Sequence, residues 1–440
     1  MDKKQMILCD FVDQGRDLIA AAEKTIWENP ELGYTEWKTH AYLKAEFEKL
    51  GYRVVEAGNI PGFYADIDTG KPGPKVLLVA EMDALLQPTH KQNVNGNVHS
   101  CGHHAQCAAL LGAAYALKQP GALEGLVGSV RLMAVPSEEL SGSNMPQRNQ
   151  MVRDGIIRFT QGKVEFMHRG LLDGVDIGMM VHTTAGKDHD FRCDGGCNGI
   201  MYKSIVFTAD APKSNAMQAA IMAMNGINTL WETFSDNQYA SMWPRVDLSQ
   251  RTRSELTVSV SCKELDLQKK ISQHIDRVLL GAAAATGTTL ELQDNPGCGP
   301  LLHPKMLMDL VAEVCGDLVG PDRVKFQSYW NRGGADMGDV SQVLPAIHLN
   351  ACGGSCGVHS DNFYIADLDR ACVNSAKAQL LTVQRLLEND ARKGKEIIAD
   401  FASRGTPMAD YIAQRGAIAQ IRKTELTADG GELTVSLKPL

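Results

Sequence analysis

Apolar positions along the chain fall into two textures. Over residues 10–50, apolar and charged positions alternate at helical spacing, with Phe11, Leu18, Ile19, Ala22 and Ile26 among the apolar ones. The stretch Trp27-Glu28-Asn29-Pro30-Glu31-Leu32-Gly33-Tyr34 interrupts the pattern with a turn, and a second helix is predicted over 35–50, ending at Gly51. Residues 52–56 and 62–67 read as strands. Three short, continuous apolar runs follow: Lys75 to Ala80, Ser129 to Val135 and Asp176 to Val181. Such runs predict strands covered on both faces, as in a parallel sheet flanked by helices. A helix is predicted over 104–118, between the first two runs.

Beyond about residue 200 the texture changes. Met201 to Ala209 reads as a strand, Asn215 to Phe234 as a helix and Glu255 to Cys262 as a strand; Leu265 to Ala285 then reads as a helix and Thr288 to Leu292 as a strand. This series predicts a small α+β domain inserted into the first. The Pro296-Gly297-Cys298-Gly299-Pro300 cluster marks the return. Met306 to Val319 is helical, Gly333 to Val340 a glycine-rich acidic loop, and Ala346 to Asn350 a strand. Gly353 to Asp361 forms a loop, Asp367 to Ala391 a long helix, and the tail 398–440 a short helix with two strand-like pieces around Asp429-Gly430-Gly431. The expected division is therefore 1–199 with 298–440 in a first domain and 200–297 in the insert. A chain of 440 residues also exceeds what one core usually serves.

Composition narrows the function classes. A net charge of −8 argues against a general phosphate-backbone binder, so no nucleic-acid partner is expected. No apolar signal core follows Met1-Asp2-Lys3-Lys4 and no run has membrane length, so a soluble, cytoplasmic protein without a membrane partner is expected. The 11 cysteines are widely scattered, which predicts free thiols or metal ligands rather than a disulfide framework.

The candidate chemistry centres on His99-Ser100-Cys101-Gly102-His103-His104, a thiol and three imidazoles in one short stretch. If the backbone bends at Gly102, Cys101 and His103 can point into one cavity as metal ligands. A histidine-rich loop, or a core cysteine beside satisfied histidines, explains the stretch equally well, because Cys-x-His is not a standard zinc spacing. The apolar runs supply the context. The first leads into Glu81-Met82-Asp83, the second into Pro136-Ser137-Glu138-Glu139, and the third into His182. Candidate ligands at the same end of several strands form a constellation, at the sheet edge where α/β folds place their sites.

Several segments, in order over most of the chain, carry a family resemblance. They are Ala80-Glu81-Met82-Asp83-Ala84-Leu85, Val98 to Ala105, Ala134-Val135-Pro136-Ser137-Glu138-Glu139, Met180-Val181-His182-Thr183-Thr184, Ala335 to Ser341 running on to Pro345-Ala346-Ile347-His348, and Gly357-Val358-His359-Ser360. Together they resemble the metal-dependent amidohydrolases and peptidases that include aminoacylases, hippurate hydrolases, plant indole-acetyl-amino-acid hydrolases, aminobenzoyl-glutamate hydrolase and carboxypeptidase G. Within that group the chain is similar to the branch that has Cys-Gly-His in place of a bridging aspartate. The resemblance implies an α/β, phosphorylase/hydrolase-like catalytic domain, its central mixed sheet flanked by helices. It also implies an inserted α+β (ferredoxin-like) lid domain that carries a homodimer contact. Two divalent metal ions are implied, zinc or manganese first, with cobalt and nickel as alternatives. Carried over by position, Cys101, His103, Glu139, His182 and His359 are the implied ligands, with Cys101 bridging the two ions. Glu138 is the implied general base, and Asp83 orients a ligand imidazole.

The lid departs from the family pattern. Relatives carry a histidine shortly after the first lid strand, whereas Phe207-Thr208-Ala209-Asp210-Ala211-Pro212-Lys213-Ser214-Asn215-Ala216 has none and reads as shortened. A substrate-gripping Asn-x-x-Pro segment is replaced by Met242 to Gln250, and a family arginine falls at Cys262 or Lys263. Loss of an oxyanion donor costs on the order of 10²–10³ in rate. Three readings follow: a hydrolase for a different amide or peptide, an altered hydrolase whose substrate lacks a free α-carboxylate, and a homologue that binds metal or ligand without hydrolysis. The complete ligand set with Glu138 favours the first two, and the expected substrate is a small molecule, an N-acyl amino acid or dipeptide. His348, at a strand end, is a further candidate for contact with that substrate, and His104 for capping beside the ligand loop. Cys193-x-x-x-Cys197 and Cys352-x-x-x-Cys356 read as free thiols, and His168, His189, His274 and His303 have no company that suggests a site.

Overall fold

The apolar runs form the middle of an eight-stranded sheet, whose order is Val54–Glu56, Phe63–Asp68, Ser129–Val135, Lys75–Glu81, Ile177–Thr184, Ala346–Cys352, Phe191–Cys193 and Val324–Phe326. The four central strands, from Ser129–Val135 to Ala346–Cys352, run parallel and so share one carboxyl-terminal edge. Their continuous apolarity has the expected cause: Ser129–Val135 is buried throughout, and Lys75–Glu81 in all but its first residue. The computed structural model describes residues 1–140, 142–209, 214–248, 250–429 and 432–440.

Helix His103–Leu117 lies in the core of this unit, with every residue except Tyr115 buried. Its small residues allow close packing: a Cβ on Gly112 would lie 2.5 Å from Ile19 Cδ1 of helix Arg16–Trp27. The long helix expected over 367–391 runs as Asn374–Phe401 and breaks at 388–391, where Asn389, Asp390 and Ala391 take left-handed backbone angles. No helix among the described residues is long and apolar enough to cross a membrane.

Two units divide the chain. The first comprises Met1–Gly196, Leu302–Tyr329 and Asp339–Met408; the second comprises Cys197–Leu301, Trp330–Gly338 and Ala409–Leu440. The second holds an antiparallel sheet in the order Ser241–Asp247, Arg253–Cys262, Gly199–Thr208, Thr289–Cys298, Ile421–Asp429 and Glu432–Pro439. With helices Ala216–Thr233 and Leu265–Thr286, its first four strands in sequence make a β-α-β-β-α-β, ferredoxin-like arrangement. Strand Ser241–Asp247 has no counterpart in the elements expected from the sequence. Its Pro244 cannot donate to a ladder, which is tolerated because this strand is the sheet edge.

The tail corrects the expected division. From Ala409 on it lies in the second unit, not the first, because Ile421, Arg422 and Lys423 pair with Gln293, Leu292 and Glu291. Arg422 also pairs with Asp276 and Asp294, the two carboxylates that neutralise buried Lys203 at 2.8 and 2.6 Å. Residues 210–213, where the family histidine segment would fall, lie outside the described residues, as do Gly430 and Gly431.

Candidate metal centre

The bend expected at Gly102 is present. Gly102 has φ +85° and precedes the first turn of helix His103–Leu117. A Cβ there would lie 2.9 Å from Thr183 Cβ, so both the backbone angle and the space require glycine. The turn brings Cys101 and His103 to one side. His182, on strand Ile177–Thr184, joins them: its Nδ1 bonds to the Thr183 carbonyl at 2.7 Å, and its Nε2 lies 3.3 Å from Cys101 Sγ.

Glu139 and His359 arrive through strained backbone. Ser137 has φ +61° and His359 φ +63°, a region that non-glycine residues rarely occupy. Neighbours hold both in place. Ser137 N–H donates to Glu36 at 2.8 Å and its hydroxyl to the Thr160 carbonyl at 2.9 Å. His359 N–H donates to the Ser100 carbonyl at 2.8 Å. Buried Arg148 donates to the Glu139 carbonyl at 2.7 Å.

The ligand atoms fall into overlapping groups. Those of Cys101, His103 and His182 lie within 4.8 Å of one another, and so do those of Cys101, Glu139 and His359. Cys101 belongs to both. A third group joins His103, Glu138 and Glu139, so Glu138 stands beside both halves of the cluster.

The donor set fits divalent cations. His103 Nε2 and Glu139 Oε1 are buried without a hydrogen-bond partner, although Glu81 Oε2 and His359 Nε2 approach them to 3.2 and 3.1 Å. Polar atoms crowded together without bonding angles are what ligands facing a shared cation produce. Burial opposes ionisation of Cys101, but His103 and His182 outweigh it and hold the thiol well below its usual range. Burial and the Cys101 sulfur push the Glu139 carboxyl up to about 7. His359 is pushed up to about 11: burial opposes its charge, but Cys101 and Glu139 prevail. A cluster of thiolate, imidazoles and carboxylate that holds itself together with protons can exchange them for metal.

The remaining candidates separate. Asp83 is fully buried; its Oδ1 lies 3.2 Å from His103 Nδ1 and its Oδ2 accepts the Glu139 N–H at 2.9 Å. It therefore sets both a ligand ring and a ligand backbone. His348 stacks edge-on against His182, ring centres 5.4 Å apart, and its Nε2 is buried without a partner. His104 faces away, towards Glu23 and Trp27. None of the 11 cysteines is in a disulfide. Cys193 and His303 sit together at 3.5 Å and belong to none of these ligand groups.

Sequence reasoning missed a charged pair in the wall of the centre. Glu81 is buried, ion-paired to buried Lys163, bonded to Gln106 at 2.8 Å, and 3.2 Å from His103 Nε2. Burial would raise its carboxyl, but Lys163, His103 and His182 hold it well below the ordinary carboxylate range. A glutamate closing an all-apolar strand was the available signal for Glu81. Lys163, in the short helix Gly162–His168, gave none.

The fold and the cluster define an α/β chain with a thiol, imidazole and carboxylate cluster able to hold divalent metal at the carboxyl ends of the parallel strands of a mixed sheet. The chain belongs to the peptidase family M20/M25/M40, whose model matches residues 62–384. The IAA-amino acid hydrolase ILR1-like 4 of Arabidopsis thaliana is 40% identical over 131 residues, 29% of this chain and 29% of the relative. A p-aminobenzoyl-glutamate hydrolase chain of Escherichia coli (strain K12) is 25% identical over 337 residues, 71% of this chain and 65% of the relative. Both matches therefore span less than two thirds of the relative's length. Among solved structures, the Bacillus subtilis YxeP protein, described as a dinuclear metal binding peptidase from the M20 family, superposes with a TM-score of 0.59. It is 20% identical, and the match covers 84% of this chain and 98% of that one.

Proposed function

We propose that the protein is a metal-dependent hydrolase that cleaves the amide or peptide bond of an N-acyl amino acid or a dipeptide. The observation that carries this reading is the place of Cys101 in two ligand groups, with Glu138 beside both His103 and Glu139. When bound, two divalent ions polarise a carbonyl and lower the pKa of water. Cys101, His103 and His182 would hold one ion, and Cys101, Glu139 and His359 the other. Asp83 fixes the His103 ring and the Glu139 backbone. Glu138 takes the proton of the attacking water and passes it to the leaving nitrogen. The donor mixture suits zinc or manganese, with cobalt and nickel as alternatives.

The substrate class rests on the relatives, whose names describe hydrolases of amino-acid conjugates. His348, beside His182, is proposed to face that substrate. The second unit is proposed as the lid and homodimer contact, supported by its exposed edge strand Ser241–Asp247, on which Trp243 is exposed. A cytoplasmic location accords with reduced cysteines throughout.

The test is a panel of N-acyl amino acids and dipeptides offered to the metal-loaded, chelated and reloaded protein. Hydrolysis that vanishes with chelator and returns with metal is expected. Metal uptake without hydrolysis of any member would leave the non-catalytic homologue instead.

A further inference from the structure

His359 differs from its fellow ligands. It is the last in sequence, its side chain is 41% exposed, and it stands on left-handed backbone in the loop after strand Ala346–Cys352. Glu139, which shares its side of the centre, is buried and braced by Arg148 and Asp83. Strained backbone persists only where its surroundings fix it, so something must seat this loop.

One side chain does so from both directions. Gln87 follows the short strand Leu85–Leu86, in the connection that leads on from Asp83. Its Oε1 accepts the Ser100 hydroxyl at 2.6 Å. Its Nε2 donates to the His359 carbonyl at 3.0 Å and to Asp361 Oδ1 at 2.7 Å. Thr89 donates to the same Asp361 oxygen at 2.8 Å. A single amide thereby ties the residue before Cys101 to the carbonyl of His359. It uses one acceptor and two donors together, whereas a carboxylate has no donor and a hydroxyl only one.

We propose that Gln87 is a positioning residue that seats His359 against Cys101 and Glu139, and so sets the affinity of that one half of the two-ion centre. The inference rests on the reading of the cluster as binuclear. His103 and His182 do not depend on the loop: His182 stands on a central strand and His103 on a buried helix.

The experiment is a zinc titration of the full chain in competition with a chromophoric chelator. It compares wild type with Gln87→Ala, Gln87→Glu and Thr89→Ala. Partners one shell removed from a metal typically matter about 10–100-fold in affinity. Wild type is expected to show two sites. Gln87→Ala weakens one of them by that factor and leaves the other within about twofold. Gln87→Glu does no better, since a carboxylate cannot donate and would face Asp361. Thr89→Ala, which spares the amide, falls between. On a His359→Ala background, Gln87→Ala adds no further loss, which assigns the affected site. The thermal midpoint of the metal-free chain stays at the wild-type value, which separates seating from folding. Two undiminished sites in both Gln87 variants would overturn the inference, and so would equal weakening of both sites. A wild type that takes up no zinc would instead refute the binuclear reading.

Discussion

Cys101 Sγ lies 3.3 Å from His182 Nε2, and the same sulfur is grouped with Glu139 and His359. A ligand shared by two groups makes a sharp prediction. Cys101→Ala should abolish tight binding at both sites, not one. Cys101→Asp, which restores an anionic bridge, should recover two-ion binding but favour manganese over zinc relative to wild type. Metal content after dialysis against each ion measures this.

Glu138 shares a ligand group with His103 and Glu139, and its proposed part is to move protons rather than to hold metal. Glu138→Gln should therefore lower kcat by on the order of 10²–10⁴ and leave zinc affinity within a few-fold. Steady-state kinetics beside the same chelator competition checks both halves. A variant that loses metal as fully as activity would make Glu138 a ligand.

Asp83 works through its neighbours. Removing its carboxylate frees the Glu139 N–H and leaves the His103 Nδ1 with the Asp83 carbonyl at 2.8 Å as its remaining Asp83 partner. Asp83→Ala should weaken metal binding about 10–100-fold, and titration calorimetry would record it. Unchanged affinity would reduce Asp83 to a structural residue.

Outside the ligand groups, Asp190 accepts from Arg323 at 2.9 Å through both oxygens and also pairs with Arg370. Arg323, then the cost of burial, then Arg370 set its carboxyl, with the net result below the ordinary 3.8. A carboxylate depressed in the folded state stabilises above the unfolded value and loses that stabilisation as pH falls through the folded one. Asp190→Asn should thus be less stable than wild type at pH 6, with the gap closing as pH drops below about 4. Urea midpoints across that range decide it; a gap independent of pH would mean the pairing is not the cause.

How much of this was legible in the sequence follows from what each residue must do locally. Lys75–Glu81, Ser129–Val135 and Ile177–Thr184 announce themselves, because a strand covered on both faces needs apolar residues on both. Their carboxyl ends then point to Asp83, Glu138, Glu139 and His182. Gly102 is legible because only glycine takes its backbone angle cheaply. Lys163, Arg148 and Gln87 were not legible. Each is a polar residue of a kind normally found at the surface, made buried or bridging by partners many residues away. The tail's place in the second unit was hidden for the same reason: Ile421–Lys423 pair with Glu291–Gln293, and no local pattern encodes which distant strand a strand pairs with. Pro244 concealed its strand, since proline argues against a ladder everywhere but at an edge.

The central claim is that two ions share the Cys101 thiolate. X-ray absorption on the zinc-loaded protein tests it most directly. A sulfur scatterer at about 2.3 Å and a second zinc at about 3.5–4 Å are expected, both lost in Cys101→Ala. A single zinc with nitrogen and oxygen neighbours only, or a zinc pair that survives Cys101→Ala, would contradict it.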